Sequence, residues 1–241
     1  MGHTTGRRHL RRLAAPKTWP IPRKGTVWVV KPNPGPHSIE RSMPIALWIR
    51  DYLKYVKTLR EVKYVLNKGY IYVDGRVIKD YKFPVGIFDI LHIEKINKTF
   101  RVLINKRGKL YLKEIDENEK NIKPLKIIRK QYVKGGKIQL TLLDGRNIIV
   151  EDPKKYKVGD TLLIKVPEQE IIDHLPLESG NMIYIIGGKK VGEIGYVKEI
   201  IIRRLVTHNR ILRYTDLEGN VKETVPEYAV VIGREKPVIS I

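Results

Sequence analysis

The sequence predicts a multi-domain α+β protein, and three observations carry that expectation. Residues Met43 to Ile93 pattern as two short basic helices leading into a tight hairpin. Beyond about residue 99 the apolar residues alternate with the period of strands, punctuated by Asp-Gly and Gly-Gly pairs. Residues 1 to 42 fit neither pattern, because Pro16, Pro20, Pro22, Pro32, Pro34 and Pro36 exclude a long helix or a central strand.

In the first of these stretches Ile45, Ile49, Leu53 and Val56 recur every three to four residues and form one stripe of a helix, with Arg50, Lys54 and Lys57 directed elsewhere. Thr58 and Glu61 have the spacing of a capping box, in which hydroxyl and carboxylate satisfy exposed amides at a helix start. Leu59, Val62 and Leu66 then supply the apolar side of a second helix, which Gly69 ends. Tyr70 to Val73 and Arg76 to Ile78 flank Asp74-Gly75, a pair that tolerates the positive φ values of a two-residue hairpin turn.

Strands dominate the remainder. Phe100 to Ile104 and Leu110 to Ile115 flank Lys106-Arg107-Gly108, and Ile138 to Leu143 and Asn147 to Val150 flank Asp144-Gly145 with the same turn chemistry. Lys154-Lys155-Tyr156 and Val158-Gly159-Asp160 read as a loop entering a strand over Thr161 to Val166. Met182, Tyr184 and Ile186 alternate into Gly187-Gly188, Lys189-Lys190 sits at the loop, and Gly192 and Gly195 precede Val197 and Ile200. Glycines there permit a tight loop and close backbone approach.

Charge points to the partner. Forty-seven Lys and Arg against 26 Asp and Glu leave a formal +21, beyond what solubility needs, so a polyanion is the expected partner and nucleic acid fits best. A membrane surface also attracts such charge, but no apolar run approaches the roughly 18 residues of a spanning helix, and a soluble chain is expected. Residues 1 to 42 hold nine Lys and Arg against Glu40 alone, which reads as an extended basic arm, with residues 1 to about 25 ordering only against RNA. Arg7, Arg8, Arg11 and Arg12 fit one side of a single helical turn, where several guanidiniums meet phosphates together. Two readings compete, a simply disordered tail and an Arg-rich mitochondrial presequence, the latter disfavoured by the prolines.

The helix, helix, hairpin order of residues 43–78 resembles the S-four RNA-binding domain, or alpha-L motif. One departure stands out: Thr58-Leu59 occupies the place where that pattern sets Ser-Arg, so phosphate contact falls to Lys57, Arg60 and Lys63. Ser179 to Ile200 resembles the KOW motif of a small SH-three-like barrel. The opening Gly6 to Lys17, the Phe83-Pro84-Val85-Gly86-Ile87-Phe88-Asp89 string and the closing Tyr228 to Gly233 extend the likeness over nearly the whole chain. Together they resemble the small-subunit (30S/40S) ribosomal protein S-four-e family, and the short, cysteine-free chain favours an archaeal member. The resemblance implies a basic N-terminal arm (1–42), an S-four-like RNA-binding domain (43–98), a central all-β domain (99–175) and a C-terminal KOW barrel (176–241). It also implies a structural constituent of the small ribosomal subunit, cytoplasmic, in contact with small-subunit ribosomal RNA and neighbouring ribosomal proteins, with no membrane and no small-molecule substrate.

The candidate RNA-binding residues are Arg7, Arg8, His9, Arg11, Arg12, Lys17, Arg23, Lys24, Arg50, Lys57, Arg60, Lys63, Tyr64, Lys68, Arg76, Lys189 and Lys190; Trp19, Tyr52, Tyr64 and Tyr70 are candidates for stacking on unpaired bases, with Tyr52 and Tyr70 favoured instead as partly core. No catalytic residue, metal or cofactor is expected. Cysteine is absent, which removes thiolate metal sites and Cys nucleophiles. The six histidines lack metal-ligand spacing, no Gly-x4-Gly-Lys-Ser/Thr string or Gly-x-Ser-x-Gly elbow occurs, and Asp173-His174 reads as a polar loop. The alternatives are a KOW-containing transcription or translation factor and an RNA-modification enzyme, the latter lacking room for a separate catalytic domain.

Overall fold

The computed structural model describes residues 8–133, 135–152, 154–202 and 210–241. The protein is mostly β with few helices, so the expected α+β balance moves toward β. Two compact units emerge: residues up to Val102 with Lys109–Glu114, and Leu103–Gly108 with Ile115–Ile241.

In the first unit the basic arm is more ordered than its composition predicts. β1 (Leu10–Arg11) pairs antiparallel with β2 (Trp28–Val29), and a 3-10 turn at Arg12–Ala14 replaces the expected helical turn. Arg7 lies outside the described residues. Trp19 is fully buried, and its indole N–H donates to the Ser42 carbonyl at 2.6 Å. Burying one such ring removes roughly 150–250 Å² from water, on the order of 4–6 kcal/mol of gross apolar burial. That is enough to order a loop that low hydrophobicity alone leaves disordered. Farther along, His37 Nε2 lies 2.8 Å from Asp89 Oδ1, with both side chains almost wholly buried, and the Gly86 N–H donates to the other carboxylate oxygen.

β3 (Ser42–Pro44) leads into α1 (Ile45–Leu47), which widens into a π-type turn over Trp48–Tyr52. This first helical segment is shorter than the apolar stripe predicts, since Lys54 adopts a left-handed φ of 56° and leaves Val56 outside it. Every residue from Ile45 to Ile49 is buried, so this segment is enclosed on all sides and is not the one-sided amphipathic helix that the stripe predicts. α2 (Leu59–Asn67) follows the predicted pattern: Thr58 Oγ1 accepts the Glu61 N–H at 3.3 Å, and Glu61 accepts the Lys57 N–H at 2.8 Å. Val62 and Leu66 are buried. β4 (Ile71–Val73) and β5 (Arg76–Val77) pair Val73 with Arg76, and Asp74 and Gly75 take φ values of 49° and 75°, as the two-residue turn requires. β6 (Pro84–Gly86) pairs with β3, while β7 (Ile90–Ile93), β8 (Lys98–Ile104) and β9 (Leu110–Glu114) complete a sheet of order β5-β4-β7-β8-β9.

The second unit holds two five-stranded sheets. The first comprises β10 (Ile122–Tyr132), β11 (Ile138–Leu142), β12 (Asn147–Val150), β13 (Thr161–Lys165) and β14 (Glu170–Leu175), in the order β12-β11-β10-β13-β14. The second comprises β15 (Met182–Ile185), β16 (Ile194–Ile202), β17 (Arg210–Asp216), β18 (Val221–Thr224) and β19 (Ala229–Gly233), in the order β18-β17-β16-β15-β19. β13 is buried on both faces. Leu162 and Ile164 enter a cluster with Leu125, Ile127 and Leu140, whereas Leu163, one residue out of phase, packs with Ile183, Ile185, Leu212 and Val231 of the following sheet. Alternation at period two thus ties both sheets together through one strand. Lys126 reinforces the join by donating to the carbonyls of Pro226, Glu227 and Ala229 at 2.5–3.1 Å.

Two local expectations fail here. The β11–β12 connection spans residues 143–146 and is not a two-residue turn. Asp144 is drawn inward instead, where its carboxylate accepts from Lys123 at 3.2 Å and Arg146 at 2.8 Å. Asp173-His174 lies within strand β14 and not in a loop, paired across to Leu163 and Leu162.

Candidate nucleic-acid interface

The solvent side of α2 assembles the cations that its helical period places together. Arg60, Lys63, Tyr64 and Lys68 are exposed while Val62 and Leu66 face inward, because residues three and four apart share a face. Lys63 Nζ lies 4.8 Å above the Tyr81 ring, Lys82 approaches the same ring at 5.6 Å, and Lys68 approaches Tyr64 at 5.7 Å. Arg60, Lys63, Lys68 and Arg76 form no ion pair with an acidic residue among the described residues. Glu61, the one acid of the helix, is spent on its N-terminus. The Lys57 amide, with help from Thr58, holds its carboxyl below the ordinary value and away from the cations that follow.

The arm adds a second group. Arg8, His9 and Arg11 are exposed; the Arg11 guanidinium sits 5.7 Å from the Trp28 ring centroid, and His9 meets that ring edge-on at 5.6 Å. Lys17, Arg23 and Lys24 face solvent. Arg12 turns inward instead, donating at 2.6 Å to the carbonyls of both Ile21 and Pro22. It therefore braces the arm, and the four-arginine cluster expected on one helical turn does not form among the described residues. Arg50 is likewise occupied: its bidentate contact with Asp51 at 2.8–3.0 Å raises its pKa. Lys57 remains exposed.

Of the residues proposed for stacking, Tyr64 is 60% exposed while Trp19 is sealed in the core. Tyr52 packs edge-on against Trp48 at 5.2 Å, and Tyr70 lies under Lys95 at 4.5 Å. The residues that sequence reasoning missed are Trp28, Tyr81, Lys82 and Lys95. Trp28 had a signal, the β-prone run Val27-Trp28-Val29-Val30. The meeting of Lys63 with Tyr81 depends on a fold-back that no local pattern encodes.

In the second unit Lys189 is exposed and Lys190 half-buried at the loop between β15 and β16. Gly192, at φ +77°, would place a Cβ 2.3 Å from the Asn105 carbonyl carbon, so backbone meets backbone where only glycine fits. Beside it Glu193 accepts from Tyr214 Oη at 2.7 Å and Lys222 Nζ at 2.9 Å. Lys155, Tyr156, Asp173, His174 and Arg234 line a cleft of about 400 Å³. There His174 Nε2 engages the buried Asp160 at 2.8 Å, not Asp173, and Asp160 also accepts the N–H groups of Lys157 and Leu177 at 3.0 Å. No Ser, Thr or Cys lines that cleft, and no group of three or more His, Cys, Asp or Glu is placed to hold a metal among the described residues.

A β-rich chain with unpaired surface cations fits the ribosomal proteins as a class, and comparison narrows it. Residues 96–171 match the family described as Ribosomal family S4e, and residues 4–40 match the RS4NT (NUC023) domain. The small ribosomal subunit protein eS4 of Nanoarchaeum equitans is 52% identical over 219 residues, covering 90% of this chain and 92% of its own length. Its counterpart in Methanosphaera stadtmanae is 45% identical over 241 residues, covering 100% and 98%. The crystal structure of the 30S ribosomal protein S4e from Thermoplasma acidophilum superposes with a TM-score of 0.68 at 32% identity, covering 80% of this chain and 95% of that one. The chain belongs to the S4e family of small ribosomal subunit proteins, with relatives drawn from archaea.

Proposed function

We propose that the protein is a non-catalytic constituent of the small ribosomal subunit that binds its ribosomal RNA, in the cytoplasm and beside other small-subunit proteins. One observation carries this reading: α2 and its neighbours present Arg60, Lys63, Lys68 and Lys82 beside Tyr64 and Tyr81, and among the described residues none of these cations is paired with a carboxylate. Phosphates supply the missing anions, and folded RNA shape supplies selectivity, since the deep groove of A-form RNA is too narrow to read. The segments divide the work as arm (1–42), S-four-like module (43–98), central β region (99–175) and KOW-type barrel (176–241). Lys189 and Lys190 act for the last of these, while Arg12 and Arg50 support the fold.

Co-sedimentation tests the proposal. The protein is expected to track small subunits stoichiometrically through a high-salt wash. Release in salt marks a translation or transcription factor instead, and substoichiometric recovery marks an enzyme.

A further inference from the structure

The chain has three tryptophans, and the fold treats them in opposite ways. Trp19 and Trp48 are fully buried and donate their indole N–H groups to the carbonyls of Ser42 and Val85. Trp28 is 55% exposed, next to Val27 at 68%. Large aromatic rings are mostly buried in folded chains, and burial of Trp19 shows that this arm has a core in which to place one. Trp28 is held outward by the β1–β2 ribbon, in which it pairs with Arg11 and Arg12 donates its N–H to the Val27 carbonyl at 2.9 Å.

We propose that Trp28 is a stacking platform for one unpaired nucleobase of RNA, with Arg11 and Arg8 placed for the flanking phosphates. The inference rests on the RNA-binding reading above and deepens it. The Arg11 guanidinium over the indole ring, 5.7 Å from its centroid, matches a ligand that joins a flat π-surface, stacked on the indole, to an anion held by the arginine, as a nucleotide does. An apolar protein surface fits poorly, because docking it would bury Arg8 and Arg11 where Glu40 is the only acid of residues 1–42. A base within a duplex offers no free face, so single-stranded RNA is selected.

Tryptophan emission reads this directly in the full-length protein, since Trp28 alone of the three is open to solvent. A mixed-sequence single-stranded oligoribonucleotide is expected to quench the wild type and to shield it from iodide, with the matching duplex doing neither. The residual emission of Trp28→Phe, from Trp19 and Trp48, should not respond. Trp28→Leu should melt within a few degrees of the wild type yet bind the single strand roughly 5- to 150-fold more weakly, the range for one lost base stack, with Trp28→Phe in between. Binding that leaves wild-type emission unchanged, or equal affinity in Trp28→Leu, overturns the platform while leaving the RNA-binding reading intact. Absence of any binding to small-subunit RNA at low salt overturns both. Quenching by a neighbouring ribosomal protein but not by RNA assigns the surface to a protein contact instead.

Discussion

The two units hold almost the same number of cations and use them differently. The first carries 23 Lys and Arg against 8 Asp and Glu, and the second 24 against 18, so 15 of the 21 surplus charges lie in the first. The difference is in the carboxylates. In the second unit cations are paired with carboxylates: Lys123 with Asp144 in the interior, Lys222 with Glu193 and Asp216, and Arg213 with Glu199 and Glu223 at the surface. In the first, Arg60, Lys63, Lys68 and Arg76 face water or aromatic rings. Equal composition in basic residues therefore does not mean equal capacity for an anionic partner; what counts is how many of them the fold has already neutralised.

That contrast can be broken in several places. The largest effect is expected where the charged arm is anchored: Trp19→Ala should cost about 3–5 kcal/mol, the range for emptying a fully buried aromatic site. Equilibrium denaturation reads it, and a silent substitution would mean that the arm packs on nothing. Lys123→Ala should be nearly as costly, about 3–5 kcal/mol, because it strips a buried carboxylate of one of its cations. Its RNA affinity should stay unchanged once folded protein is compared with folded protein. Reduced affinity in that variant would show that the second unit also spends its cations on RNA.

The opposite signature belongs to α2. Replacing Arg60 and Lys63 together by Ala should leave stability within about 0.5 kcal/mol, while the slope of log affinity against log salt falls by about one to two. A salt titration with small-subunit RNA measures this, and an unchanged slope would make that face mere solvent surface.

The smallest effect is a pH dependence confined to the second unit. The Lys222 hydrogen bond holds the Asp216 carboxyl below its ordinary value, against burial. Burial pushes the Glu193 carboxyl up, but hydrogen bonds from Tyr214 and Lys222 outweigh it and leave the group lowered. A carboxylate whose folded pKa is depressed stabilises the fold above its unfolded pKa and loses that contribution as pH falls through the folded one. The wild-type advantage over Lys222→Met should therefore be complete above the ordinary values of 4.5 and 3.8 and shrink below them. Paired thermal melts from pH 7 downward test the sign, and a difference that does not change with pH would remove these carboxylates from the account.

Local chemistry was legible wherever neighbours in sequence are neighbours in space. The Thr58–Glu61 cap, the Asp74-Gly75 turn, the inward Val62 and Leu66 and the strands around Lys106-Arg107-Gly108 all follow from spacing alone. The gathering of Arg60, Lys63, Tyr64 and Lys68 on one helical face follows in the same way. Errors arose where a distant segment overrode the local preference. The arm reads as disordered from its prolines and charge, yet Trp19 finds the Ser42 carbonyl 23 residues away. Asp144 keeps its place in the β11–β12 turn, yet its carboxylate is buried against Lys123 of β10, a contact that no local pattern encodes.

The sequence by itself determined the charge surplus, the helix caps, the tight turns and the family likeness, because each depends on residue type and short spacing. Only the tertiary structure decided which cations remain available. Arg12 and Arg50 look no different in sequence from Arg11 and Arg60, but the first pair meets carbonyls or a carboxylate and the second does not. Likewise, nothing local says which of Trp19 and Trp28 is buried. One ring reached a cavity with an acceptor at its end and the other was held on a two-stranded ribbon facing water, since burial is a property of what the rest of the chain brings to a residue.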